Sequence, residues 1–222
     1  MLITRKLFSY KLLRNSPYLN MGVIALRYLV SLAFIPSGLK KVLGERFTQM
    51  STETPIGYFF EAMYQTGPYW NFLGLLQMLA AFLLMTQVFA TLGAILFLVI
   101  VGNIWVINIS LHFSGTVLVS SMLLLAVIGL LAWDWNKIRF LFAQDNYFER
   151  ARPTYYPTHN AWCIAEGVFI FFYSISLVLF LEHHPAIPAG IRLSAVAIIP
   201  VSILLIFLIN RKQMFGASLN GQ

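Results

Sequence analysis

The side chains with chemistry to offer are few, and they stand in apolar surroundings. Arg27, Gln77, Asn103, Asn108 and Glu166 each lie inside a long hydrophobic run, and Asp134 closes another. A charge at the centre of a helix in hydrocarbon costs at least ~2.5–3.5 kcal/mol, so each ionisable group there needs a partner or a task. Arg27, Asp134 and Glu166 fall near the same end of their runs, which predicts an ion pair of Arg27 with either Asp134 or Glu166; an Arg27 stem that snorkels to lipid headgroups is the alternative. The amides of Gln77, Asn103 and Asn108 suit hydrogen bonding between helices or to a ligand headgroup. Trp105, Asn108 and His112 recur at intervals of three and four, which is one stripe of a helix. Arg27, Gln77, Asn103, Trp105, Asn108 and His112 are therefore the candidate ligand contacts, and Arg27, Asp134 and Glu166 the candidate ion-pair groups.

Other chemistries have less to build on. His112, His183 and His184, with Glu182, are residue types that bind metal or exchange protons near neutral pH, but adjacent histidines before Pro185 equally suit a loop, and no metal is assigned. Cys163 is the single cysteine of the chain, which rules out an internal disulfide, a C-x-x-C pair or a thiolate cluster. No Gly-rich phosphate loop is present, and no covalently held cofactor is expected.

The elements that must position these groups are membrane helices. From Ala62 to Trp133 there are seventy-two residues without one Lys, Arg, Asp or Glu. A crossing takes ~20 apolar residues, so this stretch has room for about three. With 59% hydrophobic and 10% charged residues the chain lies outside the composition of soluble domains. The net charge of +7 sits at the ends of apolar runs, where it orients the chain and meets anionic lipid, so no nucleic-acid partner is implied.

Read in order, residues 1–20 form a basic amphipathic surface segment. Spans are predicted over 20–39, 69–85, 90–110, 116–133, 161–181 and 189–209, with a short interfacial helix over 55–64, kinks at Pro36 and Pro200, a linker over 136–160 and a tail over 211–222 begun by Arg211 and Lys212. Six spans place both termini on one side. With the N-terminus inside, the inner segments carry ten Lys and Arg and the outer segments four, so both ends are expected in the cytoplasm. The fold class is all-α, a polytopic membrane bundle of six transmembrane helices.

Two runs resemble a known family. Arg27–Lys41, RYLVSLAFIPSGLKK, is similar to the opening helix of DoxX-like membrane proteins, with an Arg, an apolar run, a Phe, a Gly and a Lys. Leu73–Met85, LGLLQMLAAFLLM, with the short turn and apolar helix after it, looks like that family's second and third helices. The resemblance covers about residues 24–135, with Gln77 where an acidic residue is expected and Thr86-Gln87 in place of a Gly and basic turn. It implies a four-helix core over 21–135, to which the hairpin over 161–210 is an addition, and a bacterial cytoplasmic membrane. Related proteins include quinone-linked thiosulfate oxidation subunits and methylamine-utilisation membrane components. By function the resemblance implies the membrane subunit of a quinone-linked redox system, working with membrane or envelope partners; if the chain is an enzyme it is an oxidoreductase subunit, and quinone is its cofactor. The rival readings are a non-catalytic subunit that scaffolds a larger envelope complex, and a small-solute transporter.

Overall fold

The computed structural model describes residues 16–135, 137–138 and 161–219, and every regular element among them is helical. In chain order these are α1 (Pro17–Val42), α2 (Pro55–Gln65), α3 (Pro68–Met85), α4 (Ala90–Ser110), α5 (Thr116–Trp133), α6 (Ala161–His183) and α7 (Ala189–Leu219). Five of them, α1, α3, α4, α5 and α6, are long and apolar enough to cross a membrane. The apolar part of α7, Ala189–Leu205, is shorter.

Local chemistry sets the boundaries. Proline opens α1, α2 and α3, where its missing N–H is one of the donors a helix start leaves over anyway. Gly44 closes α1 in a left-handed conformation, φ 71°, with Gly44 N–H bonded to Lys41 O and Glu45 N–H to Lys40 O, a Schellman end. The first helix starts three residues before the predicted Asn20, because Ser16-Pro17 begins it. Pro36 and Pro200 lie within helices that run on past them. The predicted stop at Arg211-Lys212 is corrected, since α7 continues to Leu219: basic side chains end an apolar run, but they are good helix formers and do not break the backbone ladder. Residues 1–15, most of the expected surface segment, and 139–160, most of the expected linker, lie outside the described residues.

In lipid, burial against a neighbouring helix gains little over burial against acyl chains, so close packing and interhelical bonds decide which helices meet. The pairing of α1 with α3 rests on two glycines. A Cβ on Gly74 would lie 2.7 Å from Gly38 O, and one on Gly38 would lie 3.1 Å from Met78 Sδ. Phe34 of α1 and Phe97 of α4 meet at 4.9 Å between ring centroids, and Phe82 of α3 meets Phe171 of α6 at 5.2 Å. A Tyr173 hydroxyl bond to Ala195 O, 2.8 Å, joins α6 to α7.

The bundle has two unlike ends. At the one where α1 finishes, the buried Lys41 ammonium sits 4.6 Å from the Phe47 ring and 5.0 Å from the Trp70 ring. Trp70 Nε1 donates to Glu45 O at 2.9 Å, and Asn71 Nδ2 donates to Val42 O at 3.0 Å. These bonds hold the loop before α2 over the start of α3. Arg46 then grips Glu61 of α2 with two bonds of 2.9 Å each. The Arg46 bonds, a further one from Gln65 Nε2 at 3.2 Å and the guanidinium charge hold the Glu61 carboxyl down at about 2, and the bond to Glu61 raises Arg46. The opposite end holds a charged cluster centred on Arg27.

Candidate functional site

Four helix ends converge on Arg27. Its Nη2 donates to Asp134 Oδ2 at 2.7 Å, and its Nη1 donates to Gln87 Oε1 at 3.0 Å. Both side chains of the ion pair are 4% exposed. Thr91 Oγ1 donates to the same Asp134 oxygen at 3.0 Å, and Lys137 Nζ lies 3.6 Å from Oδ1. Of the two predicted carboxylate partners the structure therefore selects Asp134. Asp134 is the C-cap of α5, where the helix dipole disfavours a negative charge, and Arg27 and Lys137 offset that.

Gln87 reaches Arg27 from an unusual backbone. It follows the Thr86 C-cap of α3 with φ 61°, the left-handed position that Gly usually fills where a helix ends this way. A Gly there would relax the turn and leave Arg27 without this acceptor. Gln87 Nε2 also bonds back to Met85 O at 3.2 Å, so one amide ties the guanidinium to the end of α3. The side chain at this turn thus has a role that glycine could not fill.

The fourth helix brings a second carboxyl. A Cβ on Gly167 would fall 2.3 Å from Met85 O, so only glycine lets α6 come this close to the end of α3. That approach carries Glu166 into the cluster, where it is buried near Tyr28 and Cys163. The Tyr28 hydroxyl faces both the Glu166 carboxyl and the Gln87 amide. Tyr28 Oη and Glu166 Oε1 are buried, and both lack a hydrogen-bond partner among the described residues. The cluster thus combines a satisfied ion pair with a hydroxyl donor and a carboxyl that still have bonds to make. Such a pair can hold a carbonyl or hydroxyl group and exchange a proton with it.

The other predicted contacts are not gathered at this cluster. Trp105 Nε1 donates to Ser121 Oγ at 2.8 Å and Asn108 Nδ2 to Ser120 Oγ at 3.2 Å, so this part of the stripe fastens α4 to the start of α5. His112 leaves the stripe, which corrects the periodicity argument. Helix α4 ends at Ser110, and His112 is exposed in a left-handed conformation, φ 51°, its N–H bonded to Ile109 O and Phe113 N–H to Asn108 O. That is again a Schellman end, and past it helical spacing no longer applies. Gln77 is buried beside Gly38, its Oε1 without a partner among the described residues. Asn103 is exposed on α4.

Among the described residues no three His, Cys, Asp or Glu side chains converge as a metal set would. His183 Nδ1 is 2.8 Å from Leu179 O of its own helix, His184 lies against the Phe180 ring, and Glu182 pairs with Lys40 at 3.2 Å. Tyr28, Gln87 and Thr91 are the cluster members that sequence reasoning missed. The signal for Tyr28 was its place beside Arg27, and for Gln87 a polar residue in the turn facing that end. Comparison of the chain with known protein families, characterised proteins and solved structures yields no match.

Proposed function

We propose that the chain is a six-span, DoxX-like protein of the bacterial cytoplasmic membrane with both ends in the cytoplasm, and that it serves as the membrane subunit of a quinone-linked redox system. For the sixth span, the seventeen residues of Ala189–Leu205 make ~26 Å of helix at 1.5 Å per residue, close to the ~30 Å hydrocarbon layer, and the hairpin bond from Tyr173 sets them alongside α6. The ten-to-four excess of basic residues then puts the Arg27 cluster at the cytoplasmic face.

The observation that carries the redox reading is the buried Tyr28 hydroxyl and Glu166 carboxyl, neither with its bonds closed, beside a fixed guanidinium. They fit a quinone headgroup, which presents carbonyl acceptors at this depth. Bound there, a quinone accepts electrons and protons. Tyr28 would orient a carbonyl oxygen by donating to it, Glu166 would hold or release a proton next to it, and Arg27 would keep the local potential positive. Electrons would arrive from a partner subunit, because one cysteine cannot hold a cluster.

The test is binding of a short-chain quinone to the detergent-purified protein, followed by quenching of tryptophan fluorescence. Saturable quenching is expected, weakened about threefold to tenfold by Tyr28→Phe or Glu166→Gln, the loss of one hydrogen bond. Absence of saturable quenching, together with no quinone in an organic extract of the protein, would overturn it. A scaffolding subunit is the second reading, favoured by the bonds that spend Trp105 and Asn108 on α5. It predicts a partner of fixed stoichiometry and unchanged function in Gln77→Leu and His112→Ala. Solute transport would show as flux in proteoliposomes.

A further inference from the structure

The five helices long and apolar enough to cross a membrane contain five Asn or Gln side chains: Asn20, Asn71, Gln77, Asn103 and Asn108. Gln77 and Asn108 are buried, Asn20 and Asn71 are partly covered, and of the five Asn103 alone is exposed. It has no side-chain hydrogen bond among the described residues, and it lies about 20 Å along a helix about 30 Å long, well inside hydrocarbon by length. An amide held there against lipid forgoes every bond it can make.

The residues around it form a pattern. Leu92, Val99, Asn103, Val106 and Ser110 are exposed and Leu96 is half-buried, at successive intervals of four, three, four, three and four. This is a heptad seam, with Leu96, Asn103 and Ser110 at a positions and Leu92, Val99 and Val106 at d. It runs along the side of α4 away from Gly93, Phe97, Val101 and Asn108, which face the core. The neighbouring α5 exposes Leu118, Met122 and Leu125, a wholly apolar surface that lipid solvates without loss.

We propose that the α4 seam is the interface with a second copy of this chain, packed about a two-fold axis along the membrane normal, with Asn103 bonded to Asn103 of that copy. Copies of one protein insert with one orientation, so two α4 helices meeting across such an axis run parallel. In a parallel pair a positions face a positions, so Asn103 meets an identical amide at its own depth. Each amide has a donor and an acceptor, so the pair is self-complementary. A heterologous partner would need a matching amide at the same depth. This inference rests on α4 crossing the membrane and is independent of quinone binding.

The test uses the full chain in vesicles of phosphatidylethanolamine and phosphatidylglycerol, in a Cys163→Ala background. Single cysteines are placed by Asn103→Cys and Val106→Cys on the seam and by Leu118→Cys and Leu125→Cys on α5, and then oxidised with copper phenanthroline. Dimers linked at the seam and none linked at α5 are expected. In parallel, resonance energy transfer between labelled copies should show Asn103→Leu dissociating about threefold to thirtyfold more readily than the wild type, as expected for one interhelical polar pair in lipid, while Asn103→Gln stays close to the wild type. A monomer at every protein-to-lipid ratio, linkage through α5 in place of α4, linkage only to a different protein, or equal association of Asn103→Leu and the wild type would each overturn it.

Discussion

Asp134→Leu tests the hub of the bundle. The substitution takes away the carboxylate 2.7 Å from Arg27 Nη2 and leaves a neutral amide, Gln87 Oε1 at 3.0 Å, beside the buried guanidinium. Two unit charges about 4 Å apart in an effective dielectric near 20 attract by ~4 kcal/mol, and loss of one member of a buried pair costs about 3–5 kcal/mol. Arg27→Met should cost less, about 2–3 kcal/mol, because Asp134 keeps the Thr91 hydroxyl and Lys137. The double variant Arg27→Met with Asp134→Leu should lose no more than Asp134→Leu alone, a coupling of about 2–3 kcal/mol, since neither member of the pair is then left as an unmatched buried charge. Reversible unfolding of the detergent-solubilised protein measures all four corners of the cycle. At about 2–4 °C per kcal/mol for a chain of this size, Asp134→Leu should lower Tm by about 6–20 °C. If the double variant lost the sum of the two single losses, the pair would be uncoupled and the reasoning refuted.

Gly167→Ala should lower Tm by several degrees, about 1–3 kcal/mol of overpacking against Met85 O, whereas Gly102→Ala, whose new Cβ meets nothing within 4 Å, should leave Tm unchanged or slightly raised. At position 87 thermal melts should rank Gln87→Gly above Gln87→Ala: both lose the Arg27 bond, but alanine keeps the left-handed strain that glycine removes. Glu61, with its carboxyl depressed to about 2 chiefly by Arg46, should titrate higher, toward its ordinary 4.5, in Arg46→Met, where Gln65 still donates to it, when followed by carbon NMR of the side chain. Because the folded value is the lower one, the contribution of this contact to stability is complete above pH 4.5 and disappears as pH falls toward 2.

The spans could be read because hydrocarbon imposes a length and forbids unpaired charge, which leaves a coarse signature in composition. The bounds 90–110 and 116–133 needed nothing more, since the small polar turns between those runs mark where the backbone reaches water. Pairing was harder to read. Helices α4 and α5 are apolar on every side, so no one-sided pattern says which face meets which neighbour, and that choice falls to single residues such as Gly74, Gly93 and Gly167, where a Cβ would collide with a neighbouring backbone. For Arg27 the sequence supplied two carboxylates at one depth, and depth alone cannot separate them. Separation comes from Asp134 capping α5 within reach of Thr91, while Glu166 turns toward Tyr28. Trp105, Asn108 and His112 show the opposite failure, a correct period extended one turn past the end of its helix.

One helix connects the proposed quinone site with the proposed dimer seam. Thr91, in the first turn of α4, donates to Asp134, and the next residue, Leu92, opens the exposed seam. The two are successive residues about 100° apart around the helix, one at the ion pair and the other at the face proposed for a second copy. A rotation of α4 about its axis would therefore move the Thr91 hydroxyl away from the carboxylate while changing how the seam is presented. Gln87, held in the left-handed region just before α4 and bonded to Arg27, is placed to resist that rotation. Gln87 ties the end of α3 to Arg27 and Thr91 ties the start of α4 to Asp134, so both sides of the α3–α4 turn are anchored on one ion pair.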